Sequence, residues 1–182
     1  MAEIRIQQTG ALKLFENDNT SSITIASPSS LSANRTVTLP DADVDLTNVG
    51  GTNTPNFLAR MTSTQNVGSE ATVIFNAEDF DTGSDYNVSN GEFTVPSNGK
   101  YFFATAITAA ASYGSMFLNI RKAGTHVIRG NAIQTNAGSV TASGIVECTA
   151  GQVVLVRVEM GTQQNLSTSA GHTFFCGFKL IT

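Results

Sequence analysis

Few side chains here could carry covalent chemistry. There are two histidines, His126 and His172, and two cysteines, Cys148 and Cys176. A hydrolase of the triad type needs a serine or cysteine beside a histidine that a carboxylate orients. No serine or cysteine stands in a strand-to-helix glycine elbow, and no spacing sets a carboxylate beside either imidazole. His172 follows Gly171 and reads as a turn residue, while His126 and Arg129 read as parts of a polar face or a subunit interface. A zinc site would require all four of these thiols and imidazoles to converge, and nothing in their spacing favours that. The cysteines form no C-x-x-C pair and lie in strand-like runs, so they read as small core side chains, with a cross-strand disulfide as the alternative. The expectation is a protein that is not an enzyme and carries no cofactor.

Glu78, Asp79, Asp81 and Asp85 form an acidic cluster. Hard cations such as Ca2+ take several oxygen ligands from a flexible loop, so Asp79, Asp81 and Asp85 are the candidate metal ligands. The EF-hand pattern is absent because its closing glutamate is missing, and a solvated acidic loop is the plainer reading.

The elements that position these residues are strands. Charged residues make up 13% of the chain and hydrophobic ones 41%. The charged share is about half the usual one. Ser, Thr, Asn, Gln and Gly must therefore cover the surface, which suits a turn-rich β protein better than a helical bundle. No segment holds a helical apolar stripe over three turns. Period-two alternation recurs instead, in Ser22-Ile23-Thr24-Ile25, Thr36-Val37-Thr38-Leu39 and Ala71 to Phe75. Further along, Met116, Leu118 and Ile120 oppose Phe117, Asn119 and Arg121. Val154, Val156, Val158 and Met160 oppose Arg157 and Glu159, and Phe174, Cys176, Phe178 and Leu180 share a face. The run Ala104 to Ala111, which leads from Tyr101-Phe102-Phe103, reads as a buried strand with small side chains. Short strands between Gly, Asn and Ser turns predict a sandwich or barrel.

The net charge of −4, without a Lys/Arg cluster, argues against a nucleic-acid partner. The pair Arg121-Lys122 reads as a solvated strand end. No apolar run is long enough for a membrane span, and Met1 to Ile6 lacks the apolar core of a signal peptide, which predicts synthesis in a cytoplasm. Polar turn formers fill 47–54, so the chain divides into a β-rich N-terminal segment (1–46), a linker (47–54) and a C-terminal head (55–182). The first segment is too small to build a core alone.

Phe57-Leu58-Ala59-Arg60, Val73-Ile74-Phe75-Asn76, Gly91-Glu92-Phe93-Thr94-Val95-Pro96, Gly99-Lys100-Tyr101-Phe102-Phe103, Ala150-Gly151-Gln152 and Phe174-Phe175-Cys176-Gly177-Phe178 follow one another in the head. In order and spacing this series resembles the C1q and tumour-necrosis-factor-like family. The resemblance implies an all-β, antiparallel jelly-roll sandwich that assembles as a homotrimer. Phe57, Phe75, Phe93, Tyr101, Phe103, Phe174 and Phe178 would fill the core or the trimer contact. Some C1q-like heads bind calcium near the trimer apex, which is the second reason to consider the acidic cluster.

The N-terminal run from Ile23 to Pro28 and then Leu31 to Asp41, with its Asn34-Arg35-Thr36-Val37-Thr38-Leu39-Pro40, resembles a motif of tailed-phage fibre and appendage proteins. No collagen-like Gly-x-y stalk precedes the head. Together the two resemblances imply a virion-surface protein made in the host cytoplasm. It would be a capsid decoration or head-fibre protein, anchored to the major capsid protein or another virion protein through Ile23, Ile25, Val37 and Leu39. The alternative is a tail-fibre tip that binds a host-surface glycan or protein.

Overall fold

A computed structural model describes residues 11–15, 17–18, 20–26, 32–33, 36, 41, 54–134, 138–169 and 171–180. Val37 to Leu39 of the strand expected at Thr36 to Leu39, and most of the 47–54 linker, lie outside these residues. The chain separates into two compact units, Met1–Leu46 and Thr47–Thr182. In the first, β1 (Ala11–Phe15) and β2 (Ser22–Ala26) pair antiparallel, with Leu14 opposite Ile23 and Leu12 opposite Ile25. Asp18 tightens the turn by accepting hydrogen bonds from the Thr20 amide (3.1 Å) and hydroxyl (2.9 Å).

The second unit is a two-layer β sandwich, and its described residues form no helix. Its strands are β3 (Asn56–Arg60), β4 (Asn66–Val67), β5 (Ala71–Thr72), β6 (Ala77–Asp81), β7 (Tyr86–Asn87) and β8 (Glu92–Thr94), followed by β9 (Gly99–Ala109), β10 (Gly114–Lys122) and β11 (Thr125–Gln134). β12 (Gly138–Cys148), β13 (Val153–Met160), β14 (Gln164–Asn165) and β15 (Phe174–Lys179) complete the unit. One sheet runs β12-β9-β15-β3-β6. The other runs β11-β10-β13-β8-β7, with β5 also beside β13. Every pairing is antiparallel. Strands far apart in sequence lie side by side, as in a jelly roll: β15 sits between β3 and β9.

Alternation explains the layers. Met116, Leu118 and Ile120 of β10 and Val154, Val156 and Val158 of β13 point inward and are fully buried. Facing them are Tyr101, Phe103 and Ile107 of β9, with Phe57 of β3 and Phe175 of β15. The rings interlock: Phe57 stacks on Phe93 (4.7 Å between centroids) and on Tyr86 (5.3 Å), and meets Phe175 edge-on at 5.0 Å. Three buried or half-buried hydroxyls find partners, while the Tyr113 hydroxyl has none among the described residues. Tyr101 Oη donates to the Ser97 carbonyl (2.7 Å), Tyr86 Oη to the Phe75 carbonyl (3.2 Å), and Thr105 Oγ1 to the Phe174 carbonyl (2.8 Å).

Two glycines show why the sequence motifs have their form. A β-carbon on Gly177 would lie 2.6 Å from a Phe103 ring carbon, so the position next to Phe175 on the inward face of the last strand is a seat for that ring. Gly91 has φ +77, and a β-carbon there would collide with the Val73 carbonyl oxygen. We therefore expect Gly91→Ala to cost roughly 1–2 kcal/mol from backbone handedness alone, with the collision added. A urea midpoint unchanged from wild type would contradict this.

Candidate functional site

Because side chains alternate across a strand, each sheet of the sandwich has an outer face. On the five-stranded sheet that face is apolar at its centre. Register places Ile145, Phe102 and Phe178 in one row across β12, β9 and β15. The next row holds Ala104, Cys176, Leu58 and Phe80 across β9, β15, β3 and β6. Ile145 is 62% exposed and Phe80 48%, while Phe102, Phe178, Cys176 and Leu58 are half-buried. The Phe102 and Phe178 rings lie 5.3 Å apart. Asn56, Leu58, Phe80, Cys176, Gly177 and Phe178 line a shallow depression of about 280 Å³.

Polar groups border this face. Arg60 pairs with Asp79 at 2.6 Å, and Thr108 Oγ1 and Ser139 Oγ lie 2.6 Å apart. A contiguous apolar patch with a polar rim is the usual mark of a protein–protein contact.

The aromatic residues singled out from sequence divide between the two sides of the sheet. Phe57, Phe75, Phe93, Tyr101 and Phe103 are buried inside the sandwich. Phe174 and Phe178 lie on the outer face and are half-buried, and the ring that closes the core from β15 is Phe175. Leu58, Phe80 and Ile145 were not singled out as contact residues. The signal for Phe102 was present in the run Tyr101-Phe102-Phe103, apolar on both faces. Ile23 (68% exposed) and Ile25 (60%) lie on the first unit's hairpin, whereas Val37 and Leu39 are outside the described residues.

The acidic residues are tied up separately. Asp79 faces Arg60. Asp81 accepts from the Gly83 amide (3.2 Å) through Oδ1 and from the Tyr86 amide (2.8 Å) through Oδ2, which folds the loop back on itself. Among the described residues no three His, Cys, Asp or Glu side chains are placed to share a metal ion. Burial, then the nearby Asp81 charge, raises the Asp85 carboxyl above its ordinary value. A raised acid binds its proton more tightly in the folded state, so its stability contribution falls as pH rises from the ordinary 3.8 through the raised value. Asp85→Asn should therefore melt above wild type at neutral pH, and the advantage should vanish below pH 3.8 in a series of thermal melts.

Both cysteines are free. Cys148 points into the core from β12 and Cys176 outward from β15, with β9 between these strands. Burial raises both thiols. His126 and His172 are exposed, and neither imidazole makes a hydrogen bond or ion pair among the described residues. No helix among those residues is long and apolar enough to cross a membrane.

The fold and its outer apolar face define a jelly-roll binding or structural module. The C1q domain family matches residues 56–180, and the chain belongs to that family. Solved structures agree in fold. The globular domain of zebrafish complement 1qA protein superposes with a TM-score of 0.60 at 18% identity, covering 70% of this chain and 98% of that one. Murine APRIL gives 0.58 at 14% identity, covering 69% and 98%. Eiger TNF from S. frugiperda gives 0.58 at 12% identity, covering 69% and 90%. No curated protein matches the chain in sequence.

Proposed function

We propose that this chain is a non-enzymatic, homotrimeric structural protein of a tailed-phage virion, decorating the capsid or forming a head fibre. The observation that carries the trimer is the outer face of the five-stranded sheet. Among the described residues nothing covers Phe80 (48% exposed) or Ile145 (62%), and their neighbours are only half-buried. Three copies about a common axis bury that face on all three, as C1q-like heads do. The virion role is supported by the resemblance of 23–41 to phage appendage proteins. A second support is the β1–β2 hairpin, where Leu14, Ile23 and Ile25 stay exposed. A lone two-stranded hairpin is marginal in water, so a surface that receives it is needed. That surface would be the major capsid protein or another virion protein.

Light scattering on the purified protein should give three chains per particle, and a monomer at micromolar concentration would overturn the assembly. Cryo-electron microscopy of intact particles tests the location. Density on the capsid lattice is expected, and a protein absent from the particle would end the reading. Density at the tail would favour the second reading, a receptor-binding fibre tip, for which Arg121, Arg129 and Arg157, on the outer face of the six-stranded sheet, are the motivating observation.

A further inference from the structure

The outer face of the six-stranded sheet carries a cluster of a different kind. Register across β11, β10 and β13 sets Arg129, Asn119 and Arg157 in one row, and Arg121 follows on the same face of β10. Glu70 is the acidic partner here. Its carboxylate lies 3.2 Å from Arg121 Nη1 and 3.7 Å from Arg157 Nη1, and its carbonyl accepts from Arg157 Nη2 at 3.0 Å. Arg129 is exposed and has no acidic partner within 4.0 Å among the described residues. Its guanidinium rests 4.8 Å from the centre of the Phe117 ring. Glu159, opposite Phe117, is exposed, so three cations face two carboxylates.

Asn119 is 1% exposed, and its Oδ1 has no donor. The Nε atoms of Arg121 and Arg157 are also buried without a partner. Among the described residues five buried side-chain polar atoms lack a partner, and three of them sit in this one patch. Each such atom is desolvated without compensation, and native folds keep them few unless a ligand, ion or water supplies what is missing. The missing partners are of both sorts. The Nε–H groups need an acceptor, and Asn119 Oδ1 needs a donor. An oxyanion meets the first need and a hydroxyl beside it the second. The carboxylate of an Asp or Glu side chain meets only the first. Phe117 adds an apolar wall suited to the C–H face of a sugar ring.

We propose that this face binds an acidic saccharide of the uronate class. The guanidinium forks take the carboxylate, and Asn119 Oδ1 accepts a neighbouring ring hydroxyl. Entry requires one side chain to move, and Arg129, held only by Phe117, is the one free to do so. The site lies within one chain and on the sheet opposite the proposed trimer contact. It therefore does not rest on trimerisation, and a monomeric variant should still bind.

The test is calorimetric titration of the full chain with an oligoglucuronate, at low and high salt. Saturable binding is expected, weaker in high salt. Arg129→Gln should lose affinity about tenfold, the equivalent of one charged hydrogen bond, with an unchanged melting profile because the position is exposed. A neutral oligoglucoside of equal length should not bind. The proposal is overturned if oligoglucuronate fails to bind, or if Arg129→Gln binds as wild type. It is equally overturned if a sulfated oligoglucoside or a Glu-rich peptide binds as tightly, since the selectivity would then be for any oxyanion or for a protein partner.

Discussion

Phe57→Ala will destabilise the head by about 3–5 kcal/mol, the largest effect expected of any single truncation here. Phe57 is 1% exposed and stands where the two sheets meet. Its ring touches Phe93, Tyr86 and Phe175, which come from β8, β7 and β15. Truncation therefore removes the stacking partner of two rings and the edge contact of a third. The neighbours cannot collapse into the gap without giving up their own places against Phe75 and Phe103. The measurement is a urea unfolding curve at fixed protein concentration, since association would raise apparent stability by mass action. Phe178→Ala is the control. That ring is half-buried on the outer face, so its loss should leave the stability of an isolated chain nearly intact. Equal losses from the two changes would contradict the assignment of inner and outer faces.

Phe102→Asp is expected to convert the proposed trimer to folded monomers. Phe102 sits between Ile145 and Phe178 in the central row of the outer face. Three-fold symmetry would bring three new carboxylates into one closed contact, and each would cost several kcal/mol to desolvate without a partner. In the single chain the position is only half-buried, so the sandwich itself should survive. Light scattering reads the mass and circular dichroism the fold. Ile145→Asp, at a position already 62% exposed, makes the same test with less demand on local packing. A trimer that persists in both variants would place the contact elsewhere.

The sandwich and most of its core were legible because the inward residues of β8, β9, β10 and β13 are large, apolar and regularly spaced. Val154, Val156 and Val158 against Arg157 and Glu159 leave no doubt about which side is wet. The last strand was harder. Phe174-Phe175-Cys176-Gly177-Phe178 is apolar on both faces, and alternation alone does not say which face is the core. The deciding fact is the seat that Gly177 provides for Phe103, a contact between strands far apart in sequence. β11 and β12 are weakly marked in sequence because small residues interrupt their inward faces, Gly130 in the first and Ala142 and Gly144 in the second. The arginine row was illegible for a different reason. Residues 119, 129 and 157 meet only through register, and Arg121 read alone looked like a solvated strand end.

The acidic strand has a consequence beyond the ions it was first considered for. In its sheet, β12 ends against β11 of the other layer, where Gly130 admits the Thr141 backbone and seals the seam. The opposite margin is β6, Ala-Glu-Asp-Phe-Asp, with a register slip beside it and the Arg60–Asp79 clamp across it. A charged, irregular margin repels a further strand, whereas a flat apolar one invites it. Many copies crowded together could therefore stay separate instead of polymerising edge to edge into fibrils.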